Sequence, residues 1–289
     1  MIPEKLKKHL EQQVGHTVKN PQNVTGGSIN QAAKVEVESI GTCFLKWNSR
    51  YDADMFAKEV HGLNLLQSAG TELDIPEVIE QGVEPETGTG YLLMEYIAEG
   101  RPQNGSARHF GQQLARLHQV THDQFGLDYD NYIGRLPQPN TPHDDWIGFF
   151  INERMEYQLN MALDAGRFSK NIIQHFQNMY KKLPEIMPDE PASLLHGDLW
   201  GGNYMFDKKG KACIYDPAVY YGNREIELAF THLFGGFSDD FYAAYNETWS
   251  LQKGFHKRID IYNLYPLLVH TNMFGGSYAR QVESIIRKF

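Results

Sequence analysis

The sequence predicts an α+β chain in two lobes: an N-terminal antiparallel β-sheet with one helix set among its strands, then a larger, mostly helical C-terminal lobe. Three observations predict it. Short runs of alternating apolar residues, separated by glycine-rich and acidic turns, recur up to about Ile97. From Ser106 the apolar spacing changes to three and four and keeps that rhythm almost to the C-terminus. One compact stretch, SLLHGDLWGGNYMFDKKGKACIYDPAVYY from Ser193 to Tyr221, interrupts the helical pattern and reads as a loop followed by a small hairpin.

A length of 289 residues suits one large or two moderate domains, with ample core. With 41% apolar and 22% charged residues, the composition is that of an ordinary globular protein, free of repeats and low-complexity segments. A net charge of −9 disfavours nucleic acid and anionic membranes as partners and is compatible with a cationic small molecule. The N-terminal MIPEKLKKHLEQQVG lacks a signal-peptide apolar run, and no later run is long enough to cross a bilayer, so the expected location is cytoplasmic. Composition leaves the oligomeric state open. Cys43 and Cys213 both fall in predicted strands and read as buried thiols, not as a disulfide framework or metal site. No set among the twelve histidines has zinc-ligand spacing.

In chain order, Leu6, Leu10 and Val14 recur every four positions and predict a helix over 4–15. Asn23 to Asn30 is a glycine turn between two strands, the second marked by Ala33, Val35 and Val37. Gly26, Gly27 and Ser28 leave backbone amides open to phosphate oxygens, although Gly-Gly in a hairpin is most often simply a turn. After a turn at 38–41, alternation puts Cys43, Leu45 and Trp47 on one face of a strand and Phe44 and Lys46 on the other. A helix over about 54–69, capped by Asp52 or Asp54, carries Phe56, Glu59, Val60 and Leu63 on one face. An acid on an apolar face asks for a partner, and Lys46 is the predicted one. Ile75–Ile79 and Tyr91–Ile97 read as the last strands of the first lobe, joined by a turn at 84–88. The first lobe is expected over 1–97 and the second over 98–289.

In the second lobe a helix from Ser106 buries Phe110, Leu114, Leu117 and His118, the last as a core histidine. Residues 121–144 are irregular, and a loop of that length is a candidate for function. Helices are expected over about 145–165 and 169–182, from Arg224 onward, and throughout the tail from Asp239 to Arg287.

The stretch at Ser193–Tyr221 carries the chemistry. Tyr204-Met205-Phe206 and Ala212-Cys213-Ile214-Tyr215 flank a turn and predict a hairpin. Asn203 precedes its first strand and Asp216 closes its second, so the hairpin brings the two together. One amide oxygen and one carboxylate suit a hard cation such as Mg²⁺, which keeps its other positions for water and phosphate oxygens. Asp198 stands one loop away, free to face a hydroxyl. A base, a metal pair and a glycine-loosened loop are the parts phosphoryl transfer requires, because that chemistry is mostly positioning and charge neutralisation.

The order of base Asp, Asn five residues on, and a second Asp after a hairpin resembles the protein kinase catalytic loop. His196-Gly197-Asp198 stands where kinases have His-Arg-Asp, and Asp216-Pro217-Ala218 where they have Asp-Phe-Gly. The segments TGGSIN, FLKWN, FAKEVHGL, LARLH, FGLDYDNYIGRLPQPN, HGDLWGGN, DPAVYYGNREIELA and LYPLLVHTNMFGGSY narrow this. Together they span nearly the whole chain and resemble the fructosamine kinase (ketosamine-3-kinase) family, within the aminoglycoside and choline kinase-like superfamily. The resemblance implies a bilobal protein-kinase-like fold and ATP- and Mg²⁺-dependent phosphorylation of a ketosamine sugar hydroxyl, on a small molecule or a protein lysine. It makes Asp198 the base, Asn203 and Asp216 metal ligands, Lys46 the phosphate clamp and Glu59 its partner. Glu95, Tyr96 and Ile97 stand where kinases bind adenine through backbone groups.

On the acceptor side, Trp200 offers a flat apolar face, and Glu225 and Glu227 offer charge to a cationic amine, though two acids opening a helix equally suit its N-terminus. Relatives often have Asp or His where Asn223 stands. Some relatives carry a cysteine in the glycine loop that acts as a redox switch; this chain has none between Val24 and Asn30. Two other readings share some of these residues: a different small-metabolite kinase of the same fold, and a non-catalytic nucleotide-binding scaffold. A metal hydrolase using His196 and Asp198 would need a further ligand at helical or hairpin spacing, and none is evident.

Overall fold

The computed structural model describes residues 2–24, 30–50, 52 and 54–289. Helix α1 (Glu4–Val14) precedes β1 (Val18–Asn23), β2 (Gln31–Val37) and β3 (Gly41–Asn48); α2 (Met55–Ser68) separates these from β4 (Val78–Glu84) and β5 (Thr89–Glu95). The five strands form one antiparallel sheet in the order β1-β2-β3-β5-β4. The expected turn residues Gly26, Gly27 and Ser28 lie outside the described residues, but the strands on either side of them pair.

Strand β3 is central, with Lys46 opposite Ala32 of β2 and Leu92 of β5. Its alternation divides two environments. Cys43, Leu45 and Trp47 are buried under α1 with Leu6 and Leu10. Phe44 faces the other way and packs in the cluster that holds Phe56 and Leu63 of α2.

Some boundaries differ from expectation for local reasons. The strand expected at Ile75–Ile79 begins pairing at Val78, because Pro76 has no N–H to give to a ladder. Pairing of β5 ends at Glu95, so Tyr96 and Ile97 belong to the connection that follows. Asp54 occupies the N-cap position of α2 but makes no side-chain cap bond.

The rest of the chain is mostly helical. It runs through α3 (Ser106–His118), β6 (Thr121–His122), the hairpin β7 (Asn131–Ile133) and β8 (Leu136–Gln138), and α4 (Trp146–Phe149). A π-helical stretch at Phe150–Glu156 leads into α5 (Tyr157–Asp164) and α6 (Ile172–Ile186). Next come β9 (Ala192–Leu195), β10 (Tyr204–Phe206), β11 (Ala212–Ile214), β12 (Tyr220–Gly222), α7 (Arg224–Leu233), α8 (Asp239–Thr248), α9 (Phe255–Phe274) and α10 (Ser277–Ile286). The tail is three helices, interrupted at 249–254 and again at Gly275-Gly276.

The apolar stripe of α3 is buried as its spacing predicts: Phe110, Leu114 and Leu117 are at most 1% exposed, each contributing about 1.5–3 kcal/mol of burial. That stripe joins a cluster shared with α2, the sheet, β11 and α8, so the two halves of the chain have apolar core in common. Backbone bonds add to it: Asp74 pairs with both Ala212 and Ile214 of β11 (2.9 Å each), and the Gly100 N–H donates to Phe206 (2.7 Å). Among the described residues no helix is long and apolar enough to cross a membrane.

Candidate active site

The β10–β11 hairpin forms in the expected register, Tyr204 opposite Ile214 and Phe206 opposite Ala212. The Tyr215 N–H donates to Asn203 O (3.1 Å), which sets Asn203 and Asp216 at the same open end. Asp216 has φ of +56°, in the left-handed region that Asp tolerates better than most residues.

The loop before the hairpin is held from behind. The N-terminal half of the site rides on β9, which pairs with β12 through Leu195–Tyr220 and Ser193–Gly222. No sequence expectation covers that ladder. It matters because the Ala218 N–H then donates to His196 O (2.8 Å), tying the segment after Asp216 to the loop that carries Asp198. Gly197 sits at this crossing with φ of +84°, and a Cβ there would lie 1.9 Å from Ala218 O, so only glycine fits. The His196 ring donates from Nε2 to Tyr215 O (3.0 Å), and its Nδ1 accepts from the Asp198 N–H (3.3 Å). Burial pushes the imidazole pKa down, against the Glu227 and Asp216 charges, which keeps it neutral for this double task.

Asn203 spends both amide hydrogens on Asp198, one on its carbonyl (2.8 Å) and one on Oδ2 (2.9 Å). Burial pushes the Asp198 carboxyl well above the usual carboxylate range; the Asn203 bond opposes this, while Asp216 and Glu227 add to it. A carboxylate so placed is a better proton acceptor than one in water.

Lys46 reaches from β3 into this end of the cleft and is 4% exposed. Its ammonium donates to both Glu59 oxygens (2.8 and 3.0 Å) and to Asp216 Oδ1 (2.7 Å). Burial works against that charge, but Asp216 and Glu59 outweigh it, and the lysine pKa stands above its ordinary value. Burial likewise pushes Glu59 up, against the pull of Lys46. The shared ammonium is therefore the fixed charge around which both carboxylates are arranged.

Lys46, Glu59, Asp198, Asn203 and Asp216 all line one cleft of about 760 Å³. Glu95, Tyr96 and Ile97 line it too, and the Glu95 N–H is already donated to Glu77 O (2.8 Å). Trp200, 36% exposed, forms part of the wall with its edge against Phe234.

The two acids expected on the acceptor side have partners within the fold. Glu225 is fully buried, and its two oxygens take a bidentate pair from Arg258 Nε and Nη2 (2.6 Å each). Glu227 borders the cleft but is committed to the scaffold. Its Oε1 accepts from His118 Nε2 (2.9 Å) and the His196 N–H (3.1 Å), and its Oε2 from the Gly197 N–H (2.7 Å). Both carboxylates are thus engaged by groups of the fold. Asn223 is likewise structural: its Oδ1 accepts from the Glu225 N–H (2.9 Å) and caps α7.

The donor set fits a small hard cation. With the Asn203 hydrogens spent on Asp198 and Asp216 Oδ1 on Lys46, Asn203 Oδ1 and Asp216 Oδ2 remain without a hydrogen-bond partner among the described residues. Both belong to residues on the cleft wall. Among the described residues no three His, Cys, Asp or Glu side chains gather as a metal cage. Two oxygen ligands with the rest left to water and phosphate is the way Mg²⁺ is usually held.

An antiparallel sheet joined to a helical half, with a β3 lysine paired to a glutamate of α2 across from an Asp-bearing loop and hairpin, defines a phosphotransferase of the kinase-like class. Solved structures show the same fold at low identity. An aminoglycoside phosphotransferase, in ternary complex with ADP and hygromycin B, superposes with a TM-score of 0.64 at 17% identity over 98% of each chain. The fructosamine kinase profile matches residues 2–289, and the chain belongs to that family. A candidate ketoamine kinase of Enterococcus faecium is 39% identical, over 92% of this chain and 94% of its own length. The chloroplastic protein-ribulosamine 3-kinase of Arabidopsis thaliana is 38% identical, over 91% of this chain and 80% of its own. A candidate fructosamine-3-kinase from Haemophilus somnus has a solved structure that superposes with a TM-score of 0.86 at 30% identity, covering 98% of this chain and 96% of that one.

Proposed function

We propose that this chain transfers the γ-phosphoryl group of ATP to the 3-hydroxyl of a ketosamine sugar carried on a small amine or a protein lysine. The reading is carried by one observation: Lys46, Asp216, Asn203 and Asp198 converge on a single cleft. The name of the Arabidopsis relative, a protein-ribulosamine 3-kinase, supports the choice of acceptor. In this reading residues 1–97 are the nucleotide lobe and 98–289 the acceptor lobe. Gly26, Gly27 and Ser28 offer backbone amides to the phosphates, and Tyr96 and Ile97, with the Glu95 carbonyl, meet adenine through the backbone.

Asp198 accepts the proton of the sugar hydroxyl as its oxygen bonds to the γ-phosphorus and the bond to ADP breaks. The Asn203 amide fixes the Asp198 carboxylate by the 2.9 Å bond to its Oδ2, so the base is aimed before the acceptor arrives. Lys46 turns its ammonium to the phosphates, with Glu59 holding it in place. Asn203 Oδ1 and Asp216 would hold Mg²⁺, which when bound supplies charge neutralisation at the phosphate oxygens. Trp200 offers its face to the sugar or its amine.

Glu225 and Glu227 are already engaged within the fold, which leaves less charge to attract a polycation. Aminoglycosides and choline are therefore expected to be poor acceptors. The test is ATP-dependent turnover of ribulosyl- and fructosyl-lysine, kanamycin and choline, with phosphorus NMR of the product. A 3-phosphorylated ketosamine is the expected result; efficient turnover of kanamycin or choline without any ketosamine activity would overturn the reading.

A further inference from the structure

We infer that the β7–β8 hairpin is a bracket between the two halves of the chain, and that Tyr132 on it is a positioning residue for the Lys46–Glu59 pair. The inference rests on the proposed kinase reading of that pair, and it concerns residues to which that reading gives no role.

The hairpin is fixed to the helical half by buried bonds. The Asn131 amide donates to Val219 O (2.8 Å) and the Gln138 amide to Ala218 O (3.0 Å), both just beyond Asp216. Gln138 also accepts from the Tyr265 hydroxyl of α9 (2.6 Å), and Asn131 accepts from Asn140, which in turn is held by Arg154 (2.7 Å). Asn131, Gln138 and Asn140 are each at most 5% exposed, so the base of the hairpin is rigid by burial and hydrogen bonding alike.

From that base it reaches the other half. The Tyr132 hydroxyl donates to Asp54 Oδ1 (2.7 Å) and lies 3.3 Å from Asp52 Oδ2, at the start of α2. This is where the missing cap of α2 goes: its N-cap carboxylate is used across the halves instead of on its own helix. Two residues before the hairpin, Tyr129 stands edge-on to His61 of α2 and has the Lys58 ammonium over its ring (5.0 Å). Gly62 of α2 brings the helix close to the same segment that the hairpin grips. A Cβ there would meet Pro217 and Val219 at 3.3 Å.

Glu59 lies between these contacts on α2, one residue from Lys58 and two from His61. The hairpin thus holds α2 at its start, Tyr129 just before it braces the middle of the helix, and its base holds the segment that follows Asp216. Two members of the Lys46–Glu59–Asp216 cluster sit on segments held by one small element, and Lys46 is bonded to both of them. Ile133 and Gly134 of that element also line the cleft, so the wall met by an acceptor and the clamp met by a nucleotide are mechanically joined.

The test uses the full chain with Tyr132→Phe, Asp54→Ala and the double variant, with Asp54→Asn as the conservative replacement that keeps an acceptor oxygen. Affinity for Mg²⁺ with a non-hydrolysable ATP analogue is measured by calorimetry, beside KM for ATP and for acceptor. Tyr132→Phe should weaken nucleotide binding by roughly 5- to 10-fold, near the low end of measured site-to-site couplings. KM for ATP should rise with it and the melting temperature stay close to that of the unaltered chain. The double variant should lose no more than the worse single one, and Asp54→Asn should recover most of the Asp54→Ala loss. Unchanged nucleotide affinity in Tyr132→Phe, or losses that multiply in the double variant, would overturn the inference. The titration needs no ketosamine, so a failure of the acceptor reading in the unaltered chain would leave this result readable on its own.

Discussion

Replacing Glu227 by glutamine separates its scaffold role from the substrate role its sequence position suggests. The carboxylate receives three hydrogen bonds, from His118 Nε2 and the His196 N–H on one oxygen and from the Gly197 N–H on the other. It does so while almost wholly buried, at 3% exposure. Burial opposes its charge, yet the His118 bond and charge, with His196 and Gly197, hold its pKa below the ordinary glutamate value. A glutamine amide has an oxygen on one side only. Turned one way, its NH₂ faces the Gly197 N–H; turned the other, it faces the His196 N–H, and neither backbone donor can reverse. One buried donor without an acceptor costs about 1–3 kcal/mol, and loss of charge from the surviving bonds adds roughly 1 kcal/mol. The sum is about 2–4 kcal/mol, or roughly 4–8 °C in melting temperature for a chain of this size.

Kinetically, the same change loosens the loop that carries Asp198. We therefore expect kcat to fall by at least about tenfold, as small displacements of a catalytic group do, with acceptor KM little altered. Thermal denaturation and steady-state kinetics on Glu227→Gln check both. An unchanged melting temperature, or a KM that rises only for cationic acceptors at normal kcat, would refute the scaffold role and restore the substrate one.

Asp198→Asn should fold, bind nucleotide normally and lose roughly two to four orders of magnitude in turnover, the range for a positioned base; near-normal kcat would remove Asp198 from the mechanism. Three imidazoles should cost stability as pH falls. Burial lowers the pKa of His196, His232 and His270 in the fold, so below about pH 6.5 the unfolded chain takes up protons that these folded imidazoles refuse, while the raised Asp198 and Glu59 carboxyls work in the opposite direction. Melting curves of the unaltered chain and His232→Gln between about pH 7.5 and 5.5 isolate the imidazole contribution: the variant should lose less stability on acidification than the unaltered chain; an equal or larger loss would refute it.

What was legible in the sequence is what local spacing encodes. The β3 alternation sorted Phe44 and Lys46 from Cys43, Leu45 and Trp47, because a strand's period of two is set by its own backbone. The β10–β11 hairpin was legible because its turn and both strands fit within eleven residues, 204–214. The β9–β12 ladder was not: Ser193 and Gly222 find each other across the intervening loop and hairpin, and a strand of only four residues, Ala-Ser-Leu-Leu, looks the same as a lead-in to a loop. The partners of Glu225 and Glu227 were not legible for the same reason. Two acids opening a helix look alike whether they face solvent, a ligand or a distant partner, and here the partners are Arg258 and His118, 33 and 109 positions away. Asp54 reads as a helix cap in sequence, and nothing near it announces the tyrosine that takes its carboxylate.

The left-handed backbone at Asp216 bears on how such a chain can change over time. Asp and Asn are among the few side chains that occupy this conformation readily, and they are nearly the same size. An exchange of one for the other at 216 therefore meets little steric objection from the fold while removing the negative charge that Lys46 faces. In the proposed kinase reading that charge is part of the chemistry, so drift at this one position would leave a well-folded chain with impaired turnover.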